Sequence, residues 1–152
     1  MKQKKREEIK LEDTWDLTYI YKTDDEFYGD LKKVSESIDV VSKYRNKLLE
    51  SAKTLLDFLK ESDEVERRLY KLYYYAHLKL DQDTTNTFYQ AMEGKITNLL
   101  QEYSVLTSFV IPELMKGDYQ TVLGYINEEK GLERYRFNLE EIYLYQEHSL
   151  SE

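Results

Sequence analysis

Apolar residues along the chain recur at three- and four-residue spacing, the period of an amphipathic helix. The densest pattern lies between Val65 and Val110. There Val65, Leu69, Leu72, Ala76 and Leu80 share one face, while Tyr70, Tyr74 and Leu78 form a second line at i, i+4, i+8. A helix that is apolar on more than one side packs between neighbours, so this one is expected to be central. The polar run from Asp81 to Asn86 stops it and caps a successor. The successor carries Phe88, Met92, Ile96, Leu99, Tyr103, Leu106 and Val110 on one stripe, with Gly94 on the outer face. So short a connection makes the two helices antiparallel neighbours. A helix from Asn86 to Ile111 would be about 39 Å long at 1.5 Å per residue, and Pro112 should end or kink it.

The same reading extends in both directions. Thr23-Asp24-Asp25-Glu26 has the capping-box form, a hydroxyl three residues before a glutamate. Phe27, Leu31, Val34, Ile38 and Val41 then make one stripe that Leu48 continues. Ser51 caps a short helix carrying Leu55, Leu56, Phe58 and Leu59, and Ser62-Asp63 reads either as a break or as a re-cap before Val65. Glu113 to Lys116 adds a turn. Asp118 caps a short helix through Val122 and Ile126, Gly131 ends that unit, and Leu132, Tyr135, Leu139 and Ile142 define the last helix. Leu11 to Lys22 is apolar without a clean period and reads as an extended arm anchored by Trp15, Leu17 and Ile20. The expected fold is all-α: a bundle of long antiparallel helical hairpins over residues 23–148, preceded by a short extended arm over 1–22. Residues 149–152 resemble the start of a helix, as if the chain were cut at a domain boundary or the gene truncated.

Composition narrows the class. The chain has 152 residues, enough for one domain with a real core. One proline and five glycines leave little punctuation for an all-β fold. The net charge of −8 opposes non-specific nucleic-acid binding, which rests on neutralising phosphates. There is no cysteine, so disulfides, thiolate zinc sites and cysteine nucleophiles are excluded. No apolar run approaches the ~18 residues of a membrane span. The basic start (Lys2, Lys4, Lys5, Arg6) leads into no apolar run and so is no secretory signal; it reads as a solvated end. The expected location is cytoplasmic, with neither nucleic acid nor membrane as partner.

No catalytic, cofactor-binding or metal-ligating set emerges. The only histidines are His77 and His148, and no H-E-x-x-H exists. His77 precedes Asp81 by one helical turn, which suits a structural or capping contact. Asp81-x-Asp83-x-Thr85 imitates the opening of a calcium loop, but Asn86 stands where glycine is needed and Met92 where a bidentate glutamate is needed. Glu128-Glu129 and Glu140-Glu141 are adjacent pairs that point to different sides of a helix. Tyr73-Tyr74-Tyr75 would aim three rings in three directions, which suits packing with each hydroxyl reaching a partner better than one stacking platform.

Three segments in order resemble the amino-terminal part of oligoendopeptidase F, a zinc metallopeptidase of the thimet oligopeptidase superfamily. They are TWDLTYIYKTDDEFYGDL (Thr14 to Leu31), LYKLYYYAHLKLDQDTTN (Leu69 to Asn86) and YRFNLEEIYLYQEHSLSE (Tyr135 to Glu152). The resemblance implies a largely helical lobe that forms one wall of a peptide cleft and limits substrate size. It also implies zinc in a full-length parent, held by an H-E-x-x-H helix and a downstream glutamate, none of which has a matching position here. On this reading the chain alone is not an enzyme and holds no cofactor. Its partners would be the parent's catalytic lobe and an oligopeptide substrate, and Tyr70, Tyr74 and Leu78 should lie in an exposed patch or be covered in a homodimer. The alternative is a freestanding helical interaction module derived from such a peptidase.

Overall fold

The computed structural model describes residues 8–149, and among these every regular element is an α- or 3₁₀-helix. The α-helices are α1 (Asp24–Ser35), α2 (Ala52–Gln82), α3 (Thr87–Thr107), α4 (Val110–Leu114), α5 (Tyr119–Glu128) and α6 (Arg136–Ser149). The all-α expectation therefore holds. The basic start, the side chain of His148 and residues 150–152 lie outside what is described.

The chain divides into two compact units, residues 1–38 with 65–102 and residues 39–64 with 103–152. In the first, Phe27 and Val34 of α1 are buried together with Leu69, Leu72, Tyr75 and Ala76 of α2 and Met92, Ile96 and Leu99 of α3. Phe27 stacks on Tyr75 at 5.6 Å, and Tyr21 meets both edge-on. Burial is the main cause that raises the Tyr21 and Tyr75 hydroxyls, and each donates to a carboxylate: Tyr21 to Asp30 at 2.5 Å and Tyr75 to Asp24 at 2.8 Å. Arg68 closes the Tyr21 network by donating to the other Asp30 oxygen at 2.8 Å. Burial alone would raise Asp30; the bonds from Tyr21 and Arg68 outweigh it and hold the carboxyl below its usual range.

In the second unit Leu55, Leu56 and Phe58 of α2 are buried with Val122, Ile126, Leu132, Leu139 and Tyr143. Polar side chains here reach backbone that no helix satisfies. Tyr125 Oη donates to the Leu49 carbonyl at 2.7 Å, and Tyr143 Oη to that of Leu114 at 2.7 Å. Glu113, only 6% exposed, accepts the N–H groups of Asn46 at 2.6 Å and Leu48 at 2.7 Å. It fixes a turn in which Asn46 takes a left-handed φ of 65°, a conformation asparagine tolerates better than most residues.

Several element boundaries differ from the sequence expectation. The first helix stops at Ser35, where Ser35 and Ser37 hydroxyls donate to the Lys32 and Lys33 carbonyls and compete for the last turn. The stripe continues in a 3₁₀ segment, Ile38–Tyr44, with Ile38 and Val41 buried. No break occurs at Ser62-Asp63. The Ser62 hydroxyl shares a hydrogen bond with Tyr103 Oη at 2.7 Å, and Asp63 accepts from Tyr135 Oη at 2.6 Å and Arg134 at 3.0 Å. Those polar residues contact neighbouring elements, so α2 runs on for 31 residues. The second long helix does stop ahead of Pro112, but at Thr107 rather than Ile111, and the chain resumes as α4 after a turn at Ser108-Phe109. Pro112 itself sits in the first turn of α4, where a missing N–H costs nothing because that turn has no acceptor for it.

The caps are as expected. Thr23 accepts from the Glu26 N–H, and Asp118 accepts from that of Thr121. Asp83 takes both the N–H and the hydroxyl of Thr85, and Asn86 receives Phe88 and Tyr89, closing the α2–α3 turn. Gly131 does not terminate α5, which is capped at Glu129. It lies inside a 3₁₀ turn, Lys130–Tyr135, where an added Cβ would sit 2.6 Å from Leu56 Cδ2. Glycine is there for close approach.

Candidate functional surface

On the inner line of α2, Leu69, Leu72 and Ala76 are wholly buried, while Val65 and Leu80 at its two ends are half-buried. On the second line Tyr70 is 50% and Tyr74 55% exposed, and Leu78 is half-buried. The exposed patch expected of these residues is therefore present, carried mainly by the two tyrosines. Tyr70 and Tyr74 have ring centroids 6.3 Å apart, Tyr73 meets Tyr74 edge-on at 5.7 Å, and Tyr73 stacks flat on His77 at 5.3 Å. Of the three consecutive tyrosines, Tyr75 turns into the core while Tyr73 and Tyr74 join one surface row. The three rings thus occupy three environments, Tyr75 buried, Tyr74 exposed and Tyr73 half-buried, and the edge-on contact of Tyr73 with Tyr74 makes no stacking platform of them.

His77 ends the row and ties α2 to α3. Its Nδ1 lies 2.5 Å from Glu93 Oε1, and its Nε2 lies 3.6 Å from Asp81 Oδ2. The hydrogen bond with Glu93 is the first cause that raises the imidazole above its ordinary value, and the charges of Asp81 and Glu93 add to it. The pairing with Asp81 expected from sequence is the longer of the two; the closer partner, Glu93, sits on the next helix, and its proximity cannot be read from local spacing. When protonated, an imidazole between two carboxylates is a clamp. Each nitrogen faces a different acid, and among the described residues no three His, Asp or Glu side chains converge as a metal site.

The arm departs from its expected role. Leu17 and Tyr21 are buried and hold it to the body, but Trp15 is 85% and Tyr19 91% exposed. Trp15 is no internal anchor, and Ile20 is only half-buried. The arm is also less extended than expected, with 3₁₀ turns at Leu11–Asp13 and Leu17–Tyr19. Asp16 caps the second turn by accepting the Thr18 N–H at 2.9 Å. Beside Trp15 lies an open cavity of about 990 Å³, walled by Leu17, Tyr21, Lys22, Tyr75 and Lys79 among others.

Along nearly its whole length the chain is related to the amino-terminal region of the oligoendopeptidase F peptidases. A family model described as Oligopeptidase F matches residues 113–152. Oligopeptidase PepF of Bacillus subtilis is 38% identical over 147 residues, 97% of this chain and 22% of that protein. Group B oligopeptidase PepB of Streptococcus agalactiae is 33% identical over 150 residues, 97% of this chain and 24% of that protein. The crystal structure of oligoendopeptidase-F from Enterococcus faecium superposes with a TM-score of 0.72 at 32% identity, over 80% of this chain and 24% of that one. A chain from Chlamydophila abortus gives 0.80 at 33% identity, over 91% and 24%. The chain thus spans about a quarter of the length of the curated relatives it matches.

Proposed function

We propose that this chain is the non-catalytic amino-terminal domain of an oligoendopeptidase F-like zinc metallopeptidase. There it forms a wall of the peptide cleft and limits substrate size. The observation that carries the reading is the asymmetry of the match: 97% of this chain corresponds to 22% of the B. subtilis peptidase. In such a parent a bound zinc would supply Lewis-acid polarisation of a carbonyl and activation of water. The described residues here do not fit that ion, since the nitrogens of His77 are committed to two different carboxylates.

What this chain contributes is surface. The buried Leu69, Leu72 and Tyr75 hold α2 in place, so the outward rings of Tyr70 and Tyr74 stand on a rigid support. Such rings offer both an apolar face and a hydroxyl, which suits contact with a peptide.

The test compares this chain alone with a chimera in which it replaces the aligned residues of B. subtilis oligopeptidase PepF. Quenched peptides of increasing length are the substrates. The chain alone should cleave none and should carry no stoichiometric zinc, while the chimera should cut short peptides and refuse long ones. Cleavage by the zinc-loaded chain alone, or an inactive chimera, would overturn the reading.

A further inference from the structure

The arm carries two large aromatic side chains that the domain itself does not use. Leu17 and Tyr21 point inward, whereas Trp15 and Tyr19 point out at 85% and 91% exposure. The outward rings do not trail from a loose end. Asp16, between Trp15 and Leu17, caps the 3₁₀ turn that carries Tyr19, and Tyr21 is locked by its bond to Asp30.

Rings of this kind bury roughly 150–250 Å² each when covered. Two together approach the ~300–600 Å² of the largest apolar patch on a typical monomer. Next to Trp15 the cavity of about 990 Å³ provides depth as well as area. Its wall carries Lys10, Lys22 and Lys79 against Glu12 and Asp16, a small excess of positive charge. Lys10 pairs with Glu12 at 3.1 Å and Lys79 approaches Asp24 at 3.7 Å, but the Lys22 ammonium has no partner among the described residues.

We propose that Trp15, Tyr19 and the adjoining cavity form the seat of the polypeptide that makes up the other three quarters of the parent, through an apolar segment bearing a carboxylate that pairs with Lys22. The inference rests on the functional reading above and identifies where the parent's remainder docks. The choice of occupant follows from length and position. The match with the B. subtilis protein takes in 147 of 152 residues, so it includes Trp15, yet it leaves 78% of that protein (100 minus 22) without a counterpart here. Aromatic anchors beside a pocket, with a polar rim, are what carry interface energy.

Hydrogen exchange on the isolated chain and on the chimera tests this. Amides from Thr14 to Ile20 should exchange at least tenfold more slowly in the chimera than in the isolated chain. Trp15→Ala should leave the thermal midpoint of the isolated chain unchanged but lower that of the chimera, and Lys22→Gln should reproduce a smaller part of that loss. An active chimera whose arm exchanges at the isolated rate, or in which Trp15→Ala is silent, overturns the docking seat and leaves the functional reading standing. An inactive chimera overturns the functional reading and the seat with it. Concentration-dependent protection of the arm in the isolated chain, with dimerisation in sedimentation, would assign the seat to a second copy and also overturn the proposal.

Discussion

Glu113 accepts the backbone N–H of Leu48 at 2.7 Å across 65 residues of sequence, and the same carboxylate holds Asn46 through its other oxygen. Both donors belong to a turn that makes no helical ladder, so the acid is their acceptor. Glu113→Gln keeps one acceptor oxygen but faces the second N–H with a donor. It should cost about 1–3 kcal/mol, the penalty for a buried group left unsatisfied. Glu113→Ala strips both bonds and should cost at least as much. Urea denaturation checks both.

The His77 clamp has a defined pH sign. Its folded value is raised by Glu93 and Asp81, so its stabilisation is fully present below the unfolded histidine value, near 6.5. It is lost as pH rises through the higher folded value. The imidazole is 42% exposed, which limits the pair to about 1 kcal/mol or less after screening. Thermal midpoints should fall from about pH 6.5 upward, and His77→Gln should flatten that fall. A midpoint profile identical in the variant would contradict the clamp.

Two glycines should respond in opposite directions to alanine. At Gly131 the new Cβ meets Leu56 Cδ2 at 2.6 Å and Cδ1 at 3.1 Å. Both belong to a buried side chain, so the change should cost about 1–3 kcal/mol by overpacking. Gly94, inside α3, has nothing within 4 Å of its Cβ position. Gly94→Ala should stabilise by roughly 0.5–1 kcal/mol through helix propensity.

The tyrosine row separates surface from support. Tyr70→Ala with Tyr74→Ala should change the stability of the chain by no more than about 0.5 kcal/mol per site, as for exposed positions. Leu72→Ala, in the core beneath, should cost about 2–5 kcal/mol. In the chimera the double variant should broaden the range of peptide lengths cleaved. An unchanged length profile would remove these rings from the cleft wall.

Much of the fold was legible because its signals are local. The caps at Thr23, Asn86 and Asp118 and the 3.6-residue stripes of α2 and α3 depend on neighbours within a turn or two. What escaped depends on partners far away in sequence. Ser62 and Asp63 look like helix breakers until Tyr103 and Tyr135 supply their hydrogen bonds. Phe88 fits the α3 stripe but lies beyond the packed part of the helix and is half exposed, while Phe109, off the stripe, is buried. Ile142 was expected in the core of the last helix, and Tyr143 takes that place because its hydroxyl finds the Leu114 carbonyl. The exposed row was legible in its second apolar line. The outward turn of Trp15 was not, since an irregular segment carries no periodicity to show which side faces the body.

The Glu113 bonds also impose an order on biosynthesis. The turn at Asn46 to Leu48 leaves the ribosome 65 residues before the acid that completes it. At ~5–20 residues per second that is a wait of roughly 3–13 seconds. During it α2 can form while the turn at its amino-terminal end is answered only by water. Nascent chains stalled short of residue 113 should therefore show the Asn46 and Leu48 amides unprotected while those within α2 are already slow.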